Sequence, residues 1–339
     1  MSNLTARKMS IDCLRVSVTD RCNLRCVYCH PLPDCGLIEH EEILEFEEIL
    51  RIVRLFAECG ITKVRLTGGE PLLRRDIIRL VRELAAIAVI EELSVTTNGV
   101  FLESLAAELK AAGLQRVNIS VDSIERETYE RITGFDLLPG VIDGIYRAID
   151  AGLTPVKINS VIIKGLNDSE EQITALANMS VDLPLSVRFI EYCPTNRCTR
   201  PATDYVPNAA VRAVIERKYG PLVGATPRGC PGQAHGPAPT KGNGPAEYFK
   251  APGSAGTIGF ISGRSSTFCR SCSRLRLTSD GKVMPCLYSA RAHDLKTLIR
   301  NGQSDRQIRD FLSKIMTEKA NYTKSNSLKE EFSMCKIGG

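Results

Sequence analysis

No window of this chain approaches the roughly 18 consecutive apolar residues that a membrane-spanning helix needs. The opening run MSNLTARKMSIDC also lacks the apolar core of a secretion signal, so a cytoplasmic location is expected. An excess of charge of one sign is largely lacking too. Lys and Arg number 44 against 39 Asp and Glu, a net of +5, too small to point to nucleic acid yet enough to accommodate a small polyanion. No repeat at a fixed period stands out, which sets solenoids and propellers aside. What remains is an ordinary composition, 43% hydrophobic and 24% charged over 339 residues, enough for one large domain with an appendage.

Against these absences, 13 cysteines are an excess. A chain of this length with a normal core is not a small disulfide-stapled fold, and in a reducing compartment many thiols suggest metal. Cys22, Cys26 and Cys29 form CxxxCxxC directly after the apolar stretch Leu14–Val18. Three thiolates on one loop can hold three corners of a four-iron, four-sulfur cube and leave the fourth iron open to a substrate or cofactor. The run therefore reads as catalytic. Zinc, with His30 as a fourth ligand, and a disulfide are the alternatives. Zinc more often takes CxxC pairs, and adjacent residues seldom share one tetrahedral ion. A second set follows: Cys269 and Cys272 as CxxC, then Cys286 after 13 intervening residues. A closed zinc site there would recruit Cys230, His235 or His293. Two three-cysteine sets argue instead for two open-iron clusters.

Between these sets, apolar runs alternate with amphipathic stretches. Strands are predicted at Leu14–Val18, Lys63–Thr67, Leu93–Thr97, Arg116–Val121, Val156–Ile163 and Ser186–Ile190, and helices near Glu41–Glu58, Arg74–Ala86, Leu102–Ala112, Leu138–Ala151 and Glu170–Met179. Six such units predict an α/β fold, an incomplete (β/α)6 TIM-like barrel with its active residues at the carboxyl ends of the strands. The expected divisions are residues 1–220 for the barrel and first cluster, 221–256 for a Gly/Pro-rich linker, and 257–339 for a smaller C-terminal α+β segment. That segment carries the second cluster and is expected to pack across the open side.

Strands of a parallel sheet are usually near-continuous apolar runs, so their charges need a reason. Lys63 and Arg65 lie two apart, as do Lys157 and Asn159; Arg188 and Arg15 lie on strands, and Arg274 and Arg276 alternate in SRLRL beside the second cysteine set. Buried cations in such number require anionic company, and Glu70 and Glu191 cannot neutralise them all. A phosphate ester can. The alternative places each cation on the outer face with its head in water. Gly68, Gly69 and Glu70 follow the second strand in TGGEP, where glycines permit close approach and a carboxylate accepts from an ammonium group.

CxxxCxxC with Tyr28 before its last cysteine, followed by TGGEP, resembles the radical S-adenosylmethionine enzymes. That resemblance implies an open iron that binds S-adenosylmethionine and a one-electron cleavage giving a 5′-deoxyadenosyl radical. The runs RVSVTDRCNLRCVYC, KVRLTGGEPLLRRD, NISVDS, PVKIN, GNGPAEYF and FCRSCSRLRLTSDGKVMPCL, with the terminal Gly338 and Gly339, narrow it to the GTP 3′,8-cyclase family of molybdenum cofactor biosynthesis. The family reading implies a lyase with two [4Fe-4S] clusters: Cys22, Cys26 and Cys29 hold the first, and Cys269, Cys272 and Cys286 the second. The radical takes the 3′ hydrogen of GTP, the guanine binds the second cluster, and C3′ attacks C8.

Carried over, Arg15, Lys63, Arg65, Thr96, Lys157, Arg188, Arg274 and Arg276 are substrate contacts. Tyr28, Gly69, Glu70, Ser120 and Cys193 are cofactor contacts. Arg15, Arg274, Arg276 and the Gly338-Gly339 tail are catalytic; without the resemblance, that tail would read as a frayed end. Partners implied are GTP, an electron donor such as flavodoxin or ferredoxin, and a second copy of the chain, with no nucleic acid and no membrane. Cys193 and His30 stand where the family usually has Met, and Ser273 where Asn is common. A peptide-modifying radical enzyme is the runner-up, and a non-catalytic iron-sulfur or zinc regulator the reading from another class.

Overall fold

The computed structural model describes residues 11–29, 36–194, 200–225, 240–241, 244–266, 272–287, 289 and 291–320. His30, Cys230, His235, Cys269, Gly338 and Gly339 lie outside the described residues.

Six strands run in parallel and in sequence order: β1 (Cys13–Ser17), β2 (Lys63–Thr67), β3 (Glu92–Thr97), β4 (Arg116–Ser120), β5 (Lys157–Ile162) and β6 (Ser186–Glu191). Each predicted strand is present, with ends moved by a residue or so. Between them lie α1 (Phe46–Glu58), α2 (Ile77–Ala85), α3 (Leu102–Ala111), α4 (Arg126–Thr133), α5 (Leu138–Asp150) and α6 (Glu170–Asp182); α7 (Asn208–Tyr219) follows β6.

Two predicted helices start later than their periodicity suggests. A capping box between Glu45 and Glu48 fixes the start of α1, leaving His40–Glu42 as a separate 3-10 turn. Asp76, left-handed at φ 59°, sets the start of α2, and the preceding Pro71–Leu73 turn is capped by Glu70. The polar helix α4 was not predicted, because RETYERIT carries little apolar signal.

Side chains alternate across each strand. Leu14, Val16, Val64, Leu66, Leu93, Val95, Val117, Ile119, Ile158, Val187 and Phe189 are all buried and belong to one apolar core with the helices. The opposite face of the same strands is polar and carries the cations. The continuous apolar runs usual in parallel strands are therefore replaced by alternation.

The remaining strands are β7 (Val223–Gly224), β8 (Thr240–Lys241), β9 (Glu247–Lys250), β10 (Thr257–Ile261), β11 (Arg274–Leu277), β12 (Lys282–Met284) and β13 (His293–Asp294). Two of them join the six-stranded sheet directly. β10 pairs in parallel with β6, Thr257 opposite Ser186, and β11 pairs in parallel with β1, Arg274 opposite Cys13. One stretch of chain thereby covers both borders of the sheet. Such long-range pairing leaves no local trace in a sequence. Helices α8 (Lys296–Arg300) and α9 (Asp305–Ala320) follow; Arg51 reaches Asp305 at 2.7 Å and Arg309 reaches Glu58 at 2.6 Å, tying α9 to α1. No helix among the described residues is long and apolar enough to cross a membrane.

Candidate active site

The cysteine loop leaves the carboxyl end of β1 and is tied to its surroundings by backbone bonds. Val18 N donates to Thr67 O at 2.9 Å, while Arg25 N and Val27 N donate to Thr133 O and Ile132 O at 2.8 and 2.9 Å. The last carbonyls of α4 thus anchor the loop, satisfying helix-end acceptors that would otherwise need water. Within it, Leu24 N donates to the Cys22 sulfur at 3.4 Å and Cys29 N to Cys26 O at 3.0 Å. Burial pushes the Cys26 thiol well up, and its neighbours Cys29, Asp122 and Cys22 add to that. A thiol so placed becomes a stable thiolate when a cation joins it, so the donor set fits an iron cluster. No three His, Cys, Asp or Glu side chains among the described residues converge closely enough for a single ion. A four-iron cube takes each thiolate to a different iron and needs them further apart.

TGGEP lies against this loop. A Cβ on Gly69 would stand 2.2 Å from Arg21 O, and one on Gly68 2.5 Å from Thr19 O. The close approach read from the sequence is thus between two loops of the chain itself. Gly69 N and Glu70 N donate to Thr19 O and Arg21 O, each at 2.7 Å. Glu70 is buried, and its carboxylate accepts from Leu72 N at 2.9 Å, Thr97 Oγ1 at 2.8 Å and Asn98 N at 2.7 Å. It braces the ends of β2 and β3, and burial raises its pKa to about 7 against those three donors. Asn98 Nδ2 in turn donates to Asn23 Oδ1 at 2.8 Å, joining TTNG to the cysteine loop. Tyr28 Oη donates to Asp122 Oδ2 at 2.6 Å, and Asp122 Oδ1 accepts from Val161 N at 2.8 Å. Burial raises Asp122 to about 6.

Strand register gathers the cations. Arg276, Arg15 and Arg65 stand side by side across β11, β1 and β2, continued by Ser94 and Arg116 on β3 and β4. Arg274, Cys13 and Lys63 form the row below. Above lie Thr96, Asn118 and Lys157, and then Ser120, Asn159 and Arg188. All occupy alternating positions and hence one face. Burial, followed by the fields of Arg276, Arg274 and Arg65, holds Arg15 well below its ordinary pKa. Burial and Arg116 lower Arg65 to about 10. Burial, then Arg188, Arg116 and Arg65, lower Lys157 well below the usual lysine range.

Partial compensation comes from Asp12, 2.6 Å from Lys63, and from Glu92, paired with Arg116. Arg188 donates to Asn118 Oδ1 at 2.7 Å, and Lys157 lies 5.8 Å from the centre of the Tyr248 ring. Glu191 faces away and accepts from Asn208 N, Arg264 N and Ser265 N. Buried Arg15 Nε, Arg116 Nη1 and Arg188 Nε have no hydrogen-bond partner among the described residues. Crowded cations with unused donors fit a ligand of high negative charge. Arg116, Asn118 and Tyr248 were missed from the sequence. Arg116 opens its strand as Lys63 does, which was the available signal.

In the second cysteine set, burial raises the Cys272 thiol, but Arg274 and Lys319 outweigh it and bring its pKa to about 7. Cys286 is half-buried. Arg274 follows Cys272 closely in sequence, so the second set and the cation face share a border of the sheet. Cys193 is half-buried; a Cβ on Gly263 would stand 3.0 Å from its sulfur.

Two family models match the chain: the radical SAM superfamily over residues 16–177 and Molybdenum Cofactor Synthesis C over residues 185–325. GTP 3′,8-cyclase of Pelotomaculum thermopropionicum is 46% identical over 299 residues, 88% of each chain. That of Moorella thermoacetica is 43% identical over 331 residues, 97% of this chain and 98% of the relative. Among solved structures, Streptococcus suis SuiB bound to S-adenosylmethionine aligns with a TM-score of 0.58 at 16% identity, covering 90% of this chain and 68% of that one. SuiB bound to its precursor peptide SuiA aligns at 0.51 and 20% identity, covering 62% of this chain and 46% of that one. At such identities the likeness is one of fold.

Proposed function

The chain belongs to the GTP 3′,8-cyclase family of radical S-adenosylmethionine enzymes, and from that premise we propose how its own residues carry out the cyclisation of GTP in molybdenum cofactor biosynthesis. The observation that carries the proposal is the cation face with unpartnered donors, placed below the cysteine loop. Arg15, Lys63, Arg65, Thr96, Lys157, Arg188, Arg274 and Arg276 bind GTP. The triphosphate neutralises cations that repel one another in its absence, so binding and orientation come from the same groups.

Cys22, Cys26 and Cys29 hold one cluster, and Cys272, Cys286 and Cys269 the other. Tyr28, Gly69, Ser120 and Cys193 line the place of S-adenosylmethionine; Glu70 shapes it by holding the adjoining loops together. When bound, these groups supply the electron and the radical that removes the 3′ hydrogen of GTP. The chain fixes C3′ near C8 and excludes water. For Gly338 and Gly339, outside the described residues, the family resemblance implies a catalytic role.

The strands form an incomplete (β/α)6 barrel. Supporting this are a sheet polar on one face and apolar on the other, and β10 and β11 on opposite borders with just residues 262–273 between them. We divide the chain at 1–220, 221–256 and 257–339 by the position of its two cysteine sets. A cytoplasmic homodimer, reduced by flavodoxin or ferredoxin, completes the reading, and a cysteine-rich chain that uses its thiols for metal suits that compartment.

Anaerobic incubation with GTP, S-adenosylmethionine and reductant tests it. 5′-Deoxyadenosine and a cyclised nucleotide are expected only when GTP is present; equal 5′-deoxyadenosine without GTP and no cyclised product would overturn it.

A further inference from the structure

We infer that Lys319 is a positioning residue of the second cluster, its ammonium hydrogen-bonded to the Cys272 sulfur and biasing that cluster toward its reduced state. Lys319 lies at the end of α9, 47 residues from Cys272, and its Nζ stands 3.5 Å from that sulfur. It is 3% exposed. A lysine so buried requires anionic company, and a thiolate supplies it. The adjacent acid, Glu318, faces elsewhere: its carboxylate lies 3.0 Å from His293 Nε2 and 3.7 Å from Arg291 Nη1.

Cluster potential responds to net charge and to hydrogen bonds to the ligating sulfurs, and a fixed cation stabilises the more negative, reduced state. Arg274 also acts on Cys272. It stands on the cation face, in the row below Arg276 and Arg15, and serves the substrate, whereas Lys319 comes from a separate element. Both cations therefore act on the Cys272 sulfur, Arg274 from the substrate-facing sheet and Lys319 from the end of α9.

The inference rests on Cys272 being a cluster ligand, so the test separates the two. In the C22A/C26A/C29A protein, reconstituted anaerobically, about four irons per chain are expected. Absence of iron there would remove the ligand assignment and the inference together. With iron present, an EPR-monitored titration with dithionite should show K319Q at least tenfold harder to reduce than its parent, a drop of about 59 mV for one electron. K319R should recover most of the loss. Equal potentials in parent and K319Q would overturn the role of Lys319 while leaving the ligand assignment standing. A second readout needs no lysine variant: the parent grown on lysine labelled with ¹⁵N at the side chain should show a weakly coupled nitrogen in pulsed EPR of the reduced cluster. Absence of that coupling would also refute the inference.

Discussion

Lys157 pairs a cost to the free protein with a gain on binding. Its charge is opposed by burial and by Arg188, Arg116 and Arg65, so a phosphate arriving beside it shifts its equilibrium toward the protonated form. GTP binding should therefore take up protons at alkaline pH more than a Lys157→Met variant does, seen as a dependence of calorimetric heat on the buffer; equal uptake in the two would count against it. Lys157→Ala and Arg188→Ala should keep their iron while weakening GTP by about 10- to 100-fold, the worth of a charge-assisted bond. Iron-free Lys157→Met should melt above the parent, since one repelling cation is gone.

Glu70 behaves oppositely to most carboxylates. Its folded pKa, raised to about 7, exceeds the unfolded value near 4.5, so between those limits the folded state holds a proton that the unfolded state has lost. Its contribution is complete below pH ~4.5 and declines as pH rises through 7, by at most about 3 kcal/mol. Denaturation of the iron-free protein at pH 5 and 7.5 should show that decline, and Glu70→Gln should flatten it. The cations were legible because charge on a parallel strand is unusual. Arg116 escaped because, beside Glu92, it looks like an ordinary strand-end pair, and the bracing role of Glu70 depends on β3, which sequence distance conceals.

At the scale of elements, the contact between TGGEP and the cysteine loop leaves no room. Gly69→Ala would drive a methyl into the Arg21 carbonyl at 2.2 Å, and backbone cannot yield as a long side chain does. The variant should reconstitute with less than half the parent's iron at the first site and melt several degrees lower; parent-like iron content and melting would show that the loops can separate. Strands were read to within a residue or so because their alternation is strong. Helix starts were less legible, since a cap or a left-handed residue such as Asp76 decides them. The unforeseen α4 is polar, and its worth lies in two carbonyls offered to Arg25 and Val27, a function that hydrophobic periodicity does not report.

For the whole molecule, the decisive feature is that β10 and β11 border the six strands on opposite sides. A chain ending after Gly220 would expose unpaired edges at β1 and β6, which invite association with other chains. Such a truncation is expected to be insoluble or oligomeric by light scattering, and a soluble monomer would show that the borders need no cover. Timing follows from the same arrangement. A ribosome adding 5–20 residues per second leaves the β1 flank of the nascent sheet bare for roughly 4–17 seconds between finishing β6 and finishing β11, while β10 covers the β6 flank somewhat earlier. Stalled chains should therefore be captured by holdase chaperones when arrested within that interval and released once β11 has cleared the exit tunnel.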